Sequence, residues 1–142
     1  MKTVVVNTDS IQRQWYVIDG GSLPLGRLAS KVAQLLIGKG KVAYSPNQDH
    51  GDNIIVINSD KVKLTGKKPE TKFYFRHSTY PGGAKFRSYK EQMALDSTQV
   101  IVHAVKGMVD KNARGRAILR KLHVYAGNTH PHSAQLPQPL SI

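Results

Sequence analysis

The chain has 142 residues, with 21 Lys and Arg against 9 Asp and Glu, a formal net charge of +12, and no cysteine. This length suits one domain around one core, and the missing cysteines exclude disulfides, thiolate zinc sites and cysteine nucleophiles. A surplus of like charge opposes compaction by self-repulsion, so the composition points to a polyanionic partner, nucleic acid first.

Segment 1–14 reads as a polar lead-in whose Val4-Val5-Val6 run is too brief for a signal peptide. Nothing approaches the roughly 18 apolar residues of a membrane span, so a cytoplasmic protein without a membrane partner is expected. Trp15 to Asp19 reads as a short buried strand closed by Gly20-Gly21 and a turn at Pro24. Leu25, Leu28, Ala29, Val32 and Leu36 then form a helical stripe that Gly38 ends, with Arg27, Ser30, Lys31 and Gln34 on the other side.

Beyond Lys39-Gly40-Lys41, the run Ile54 to Ile57 is apolar at consecutive positions, as a central strand covered on both faces must be. Gly66 to Pro69 reads as a turn and Lys72 to Arg76 as a strand, so the basic loop between sheet elements projects outward. Pro81-Gly82-Gly83 marks a second mobile loop. Ser88 with Glu91 has capping-box spacing for a short helix, and Val100, Ile101, Ala104, Val105 and Met108 form a helical face ended by Gly107, although the Val-Ile-Val run also admits a strand.

Ala113 to Lys121 reads as an Arg-studded helix with Ala117 and Ile118 turned inward, and Leu122 to Ala126 as a last strand. Residues 128–142 carry Pro131, Pro137 and Pro139 and no charged side chain, which predicts an extended tail on a surface rather than another element.

The charge is placed unevenly. Between Lys61 and Lys90 nine basic residues face Glu70 alone, and between Lys106 and Lys121 six face Asp110 alone. Both segments also hold periodic apolar positions, so the charge sits on folded elements. Lys67, Lys68, Lys72 and Arg76 predict a basic edge leading to His77, Lys85 and Arg87. Lys106, Arg114, Arg116, Arg120 and Lys121 predict a second arm, with Gly115 letting the chain lie close to phosphates. Lys39 and Lys41 flank glycine in a loop whose backbone can approach a phosphate. The 7% aromatic content leaves limited material for stacking platforms. No zinc finger, heptad zipper or paired RNP aromatics appear, which favours recognition of phosphate and shape.

Other chemistry has less to stand on. Gly21 to Leu28 follows a strand and opens a helix with P-loop glycine spacing, but Arg27 and Leu28 replace its Lys and Ser or Thr, and Pro24 removes an amide donor. A helix N-terminus beside Arg27 still suits an RNA phosphate. Asp49-His50-Gly51-Asp52 and His130-Pro131-His132 match no known ligand spacing, so turns and RNA-facing imidazoles are the better reading. No catalytic residue, metal, cofactor or small-molecule substrate is expected.

Several segments together resemble one family. They are Trp15 to Asp19, Leu25 to Ala29, Gly51-Asp52 ahead of Ile54, Lys61 with Thr65 to Lys68, Ala104 to Met108, Gly115 to Ala117, and Leu119 to Gly127. The chain is similar to ribosomal protein thirteen of the large subunit, in its bacterial form, from about residue 15 to the C-terminus. Asp110 stands where that family often has Pro, Ser or Thr, and residues 1–14 match less well.

The resemblance implies a single three-layer α/β/α domain around a small, mainly parallel four-stranded sheet. It implies large-subunit rRNA and neighbouring ribosomal proteins as partners, and a role early in subunit assembly. A phosphate-handling enzyme built on Gly21 to Arg27, and a regulatory RNA or DNA binder outside the ribosome, are the rival readings.

Overall fold

A computed structural model describes Val6 and residues 10–142, and the rest of the lead-in, with its Val4-Val5 pair, lies outside the described residues. In chain order the elements are β1 (Trp15–Asp19), α1 (Leu25–Ile37), β2 (Asn53–Ile57), α2 (Lys68–Thr71), β3 (Phe73–His77), β4 (Ala84–Ser88), α3 (Tyr89–Leu95), α4 (Ser97–Lys106), α5 (Ala113–Leu119), β5 (Leu122–Val124) and β6 (Gln138–Pro139). Short 3-10 turns lie at Ser59–Lys61 and Ser133–Gln135. Among the described residues no helix is long and apolar enough to cross a membrane.

Ile54, Ile55 and Val56 are fully buried, so β2 is the two-faced strand that its sequence demands. It sits inside a four-stranded sheet of order β5-β2-β1-β6. All three pairings are parallel, with Val17 opposite Ile55 and Ile55 opposite His123. The chain steps the same way from β1 to β2 to β5, and right-handed crossovers then put the connecting helices on one face. There Leu28, Val32 and Leu36 of α1 and Val100, Ile101 and Val105 of α4 share a core with Ile18, Ile54, Val56 and Ile118.

Strand alternation sends Trp15, Val17, Ile55 and His123 to the opposite face. Trp15 stacks on His123 at 5.5 Å, and the tail returns across them so that His132 lies 5.2 Å from the Trp15 ring and 4.6 Å from His123. The Tyr125 hydroxyl and His132 Nε2 are 2.8 Å apart. The tail therefore does more than lie on a surface. It forms a 3-10 turn and then β6, with the Leu140 N–H donating to the Val17 carbonyl at 2.8 Å. An edge strand pairs on one side only, so Pro139 costs it no ladder bond.

The helices begin and end as their sequences dictate. Gly38 takes φ 81° and donates to the Gln34 and Leu35 carbonyls, closing α1. Ser88 and Glu91 form the full capping box of α3, Asp96 caps α4 through the Thr98 amide, and Asn112 caps α5 through the Gly115 amide. The Val-Ile-Val run is helix, and Met108 falls beyond its end with 44% exposure. Ile118 points inward but Ala117 is exposed, because a seven-residue helix buries only the narrow stripe through Gly115 and Ile118.

The basic turn at Gly66 leads into the single turn α2, with Pro69 tolerated at its start. The larger revision concerns Lys72 to Arg76. That strand stays out of the main sheet and pairs antiparallel with β4, which follows directly on the Pro81-Gly82-Gly83 loop, to make a separate hairpin. Two strands alone are marginal. This pair leans on the body, with Tyr74 edge-on to His103 of α4 at 5.2 Å and the Tyr89 amide bonded to the Lys72 carbonyl.

Gly115 serves the protein's own packing, since a Cβ there would lie 1.8 Å from the Asp110 carbonyl oxygen, whereas at Gly26 it would meet nothing within 4 Å. Gly115→Ala should therefore cost about 2–4 kcal/mol and Gly26→Ala should gain about 0.5–1 kcal/mol, as urea unfolding will measure. Equal effects at the two sites would contradict the packing described. A pH dependence follows from the tail clasp. Burial first, and the neighbouring His132 second, hold His123 below its ordinary value of 6.5, so the unfolded chain binds the proton more readily. Stability should be full above that value and decline as pH falls below it, and His123→Gln should flatten that part of a melting-temperature profile.

Candidate nucleic-acid interface

Alternation along the hairpin separates two sets of side chains. Tyr74, Arg76, Lys85 and Arg87 project to one side, with Tyr74 opposite Arg87 and Arg76 opposite Lys85. Phe73, Phe75 and His77 project to the other, opposite Ser88, Phe86 and Ala84. Between the hairpin and helices α3 and α4 runs a groove of about 940 Å³, whose walls include Arg76, Lys85, Arg87, His103 and Lys106. No carboxylate lines it. Its cations are exposed, and the Arg87 guanidinium is steadied by donating to Gln92 Oε1 at 3.1 Å.

Each neighbour helps to set this surface. The Lys72 ammonium sits 5.3 Å from the centre of the Tyr74 ring, a cation–π contact at the base of the hairpin. Burial, with Tyr89 adding to it, pushes the Tyr74 hydroxyl up to about 12, so the ring stays neutral beside the groove. The Thr79 amide donates to His77 Nδ1 at 2.9 Å, which leaves the proton of the neutral ring on Nε2 as an outward donor. The hairpin tip is closed by Ser78 N–H to Gly83 O and Gly83 N–H to Tyr80 O.

The groove thus gathers Arg76, Lys85, Arg87 and Lys106 from two separated segments. Gln99 and His103, absent from the sequence reading, belong with them, and their signal was the spacing 99, 103, 106 on the helix face opposite Val100, Ile101 and Val105. Lys67 and Lys68 stand exposed at α2, Arg27 on α1, Lys39 after its end, and Arg116 and Arg120 along α5.

Three expected phosphate ligands are engaged within the fold. Lys41 pairs with Asp52 at 2.6 Å and also donates to the Gln12 carbonyl. Lys121 pairs with Asp49 at 2.5 Å, and burial pushes its ammonium down from its ordinary value while Asp49 holds it up. Arg114 is largely buried and reaches Asp110 at 3.4 Å. These contacts also commit Asp49 and Asp52 to ammonium partners.

The turn after β1 resembles a P-loop less in space than in sequence. The Gly21 amide donates to Asp19 Oδ1, the Ser22 amide to the Asp19 carbonyl, and the Leu25 amide to the Lys63 carbonyl. Amides already bonded to the protein cannot cradle a phosphate.

Comparison with known proteins matches this chain to the family described as ribosomal protein L13, over residues 13–131. The chain belongs to that family. A protein named large ribosomal subunit protein uL13 from Thermobifida fusca is 53% identical over 142 residues, covering all of this chain and 95% of its own length. Proteins of the same name from a Roseiflexus species and from Alcanivorax borkumensis are 51% and 49% identical, covering 97% and 100% of this chain and 94% and 100% of their own. A member of the L13 family is a structural ribosomal protein and not an enzyme, which removes the reading of a phosphate-handling enzyme built on Gly21 to Arg27.

The ion pairs within the fold make a stability prediction. The Lys121 side chain is 11% exposed and Asp49 23%, so removing the carboxylate strands the deeper charge. Asp49→Ala should cost about 3 kcal/mol and Lys121→Met distinctly less, read from chemical unfolding. A larger loss for Lys121→Met would show that the Asp49 carboxylate, and not the deeper ammonium, is the costlier charge to leave unpaired.

Proposed function

We propose that this chain, as a structural constituent of the large ribosomal subunit in the cytoplasm, binds large-subunit rRNA by neutralising phosphates and supports early subunit assembly. The observation that carries the reading is the hairpin groove, which brings Arg76, Lys85, Arg87 and Lys106 together with no opposing carboxylate. Exposed Lys39, Lys67, Lys68, Arg116 and Arg120, with Arg27 and His77, extend the basic surface and suit a junction where several RNA helices converge. Arginine forks fit phosphate oxygens in pairs, and a preformed surface loses little entropy on binding. Neighbouring large-subunit proteins are the remaining partners.

Counterion release gives the test. With about six phosphates neutralised, log K for folded large-subunit rRNA should fall against log salt with a slope of about −4 to −5. Replacing Arg76, Lys85, Arg87 and Lys106 together with Ala should flatten that slope by about 3. Lys41→Met, whose charge already has a carboxylate, should leave it unchanged. A wild-type slope near zero would sink phosphate neutralisation, and normal accumulation of mature subunits in cells depleted of the protein would sink the assembly role.

A further inference from the structure

The three phenylalanines of the chain all lie on the hairpin, and all three are exposed: Phe73 by 60%, Phe75 by 59% and Phe86 by 71%. Phe75 and Phe86 face one another across the two strands with ring centres 5.1 Å apart, and the Phe75 ring lies 6.3 Å from that of His77. Tyr80, at the tip, is 74% exposed. Rings placed this way contribute little to the core of their own chain, and a contiguous exposed aromatic surface marks a place where something binds.

We propose that this aromatic face is a stacking platform for unpaired nucleobases of the RNA whose backbone lies in the adjoining cationic groove. The inference rests on the rRNA reading above and adds a second, distinct contact to it. The charge around the rings selects the occupant. From Lys72 to Lys90 the chain carries Lys72, Arg76, Lys85, Arg87 and Lys90 and not one Asp or Glu. An apolar protein surface laid on the phenylalanines would leave the cations of the adjoining groove, which Phe75 and Phe86 also line, without compensation, and a second copy of this chain would add its own. Single-stranded RNA brings flat π-faces and anions together, so one ligand satisfies both kinds of group.

The geometry supports the same conclusion. Phe75 and Phe86 also line the groove that holds Arg76, Lys85, Arg87 and Lys106, so rings and cations are within reach of one strand. Bases inside an A-form duplex are already stacked on one another, whereas loops and bulges offer theirs to aromatic side chains. His77, beside Phe75 with Nε2–H directed outward by the Thr79 contact, extends the platform with a hydrogen-bond donor.

The test uses the full chain, a labelled single-stranded oligoadenylate of about 12 nucleotides and an RNA duplex of similar length, with affinity followed by anisotropy across a salt series. Phe75→Leu with Phe86→Leu keeps apolar bulk and removes the π-faces. It should weaken oligoadenylate binding by about tenfold or more, leave the salt slope unchanged, and alter duplex binding by less than about twofold. Phe75→Tyr with Phe86→Tyr should retain wild-type affinity, and since the rings are exposed both variants should keep the wild-type melting temperature.

Unchanged oligoadenylate affinity in the Leu variant would overturn the platform while leaving the phosphate reading intact. An equal loss in the Tyr variant would overturn it too, because the π-faces would then not be the cause. A wild-type dimer in sedimentation that the Leu variant abolishes would assign the face to a second copy instead. A flat wild-type salt dependence would be a failure of the phosphate reading beneath.

Discussion

Carboxylates are scarce in this chain, and the fold engages nearly every one of them in its own construction. Asp19 accepts from the Gly21 amide and from Asn58, closing the turn after β1. Asp49 holds Lys121 and the Gly51 amide, and Asp52 holds Lys41 and the Gln14 amide. Asp60 accepts from Ser97, Glu91 completes the α3 capping box, Asp96 starts α4, and Asp110 meets Arg114. Among the described side-chain carboxylates only Glu70 makes no such bond. The hydrogen bonds that hold Asp19 and Asp96 below the ordinary carboxylate value also fix both as anions.

The consequence appears on the outside. Once the anions are committed to turns, caps and internal ammonium groups, most of the remaining Lys and Arg have no carboxylate partner among the described residues, and four of the exposed ones meet at the hairpin groove. The hairpin shows this most clearly, because it has left the main sheet and carries no carboxylate at all. It is tied to the body by the Tyr74–His103 edge contact, by Tyr74 packing against the core and by the Tyr89 amide donating to the Lys72 carbonyl at 3.0 Å. A surface of one sign is tolerable there because solvent screens it within about 10 Å until an anion replaces the solvent.

What the sequence disclosed and what it hid follow the range of the interactions concerned. The buried run Ile54 to Val56, the stripe from Leu25 to Leu36 and the Ser88–Glu91 box are local patterns, so they are legible in the sequence itself. The partner of Lys121 lies 72 positions away, and nothing near that lysine distinguishes it from Arg120, which is exposed. Gly115 has the composition of a phosphate-approaching loop, yet its constraint comes from the Asp110 carbonyl. Ala84 to Ser88 has two charges in five residues, and its pairing partner, not its own pattern, makes it a strand. An aromatic content of 7% looked too thin for a platform because an average says nothing about where three phenylalanines meet.

Parallel sheets of this kind usually bind ligands in the crevice beyond the carboxyl ends of their strands, and here that crevice is closed by the chain itself. Gly20 donates to the Ile57 carbonyl, Asn58 to the Gly127 carbonyl and Ser59 to the Tyr125 carbonyl, so the loops leaving β1, β2 and β5 are sewn to one another. A Cβ at Gly20 would lie 2.9 Å from the Ile57 carbonyl oxygen, which leaves little room there even for a methyl group. With the usual site filled, the sheet serves as a rigid mount. The binding chemistry has moved to an appended hairpin and to helix faces, where an extended ligand can be met over several elements at once, and that arrangement suits a structural RNA better than a small molecule.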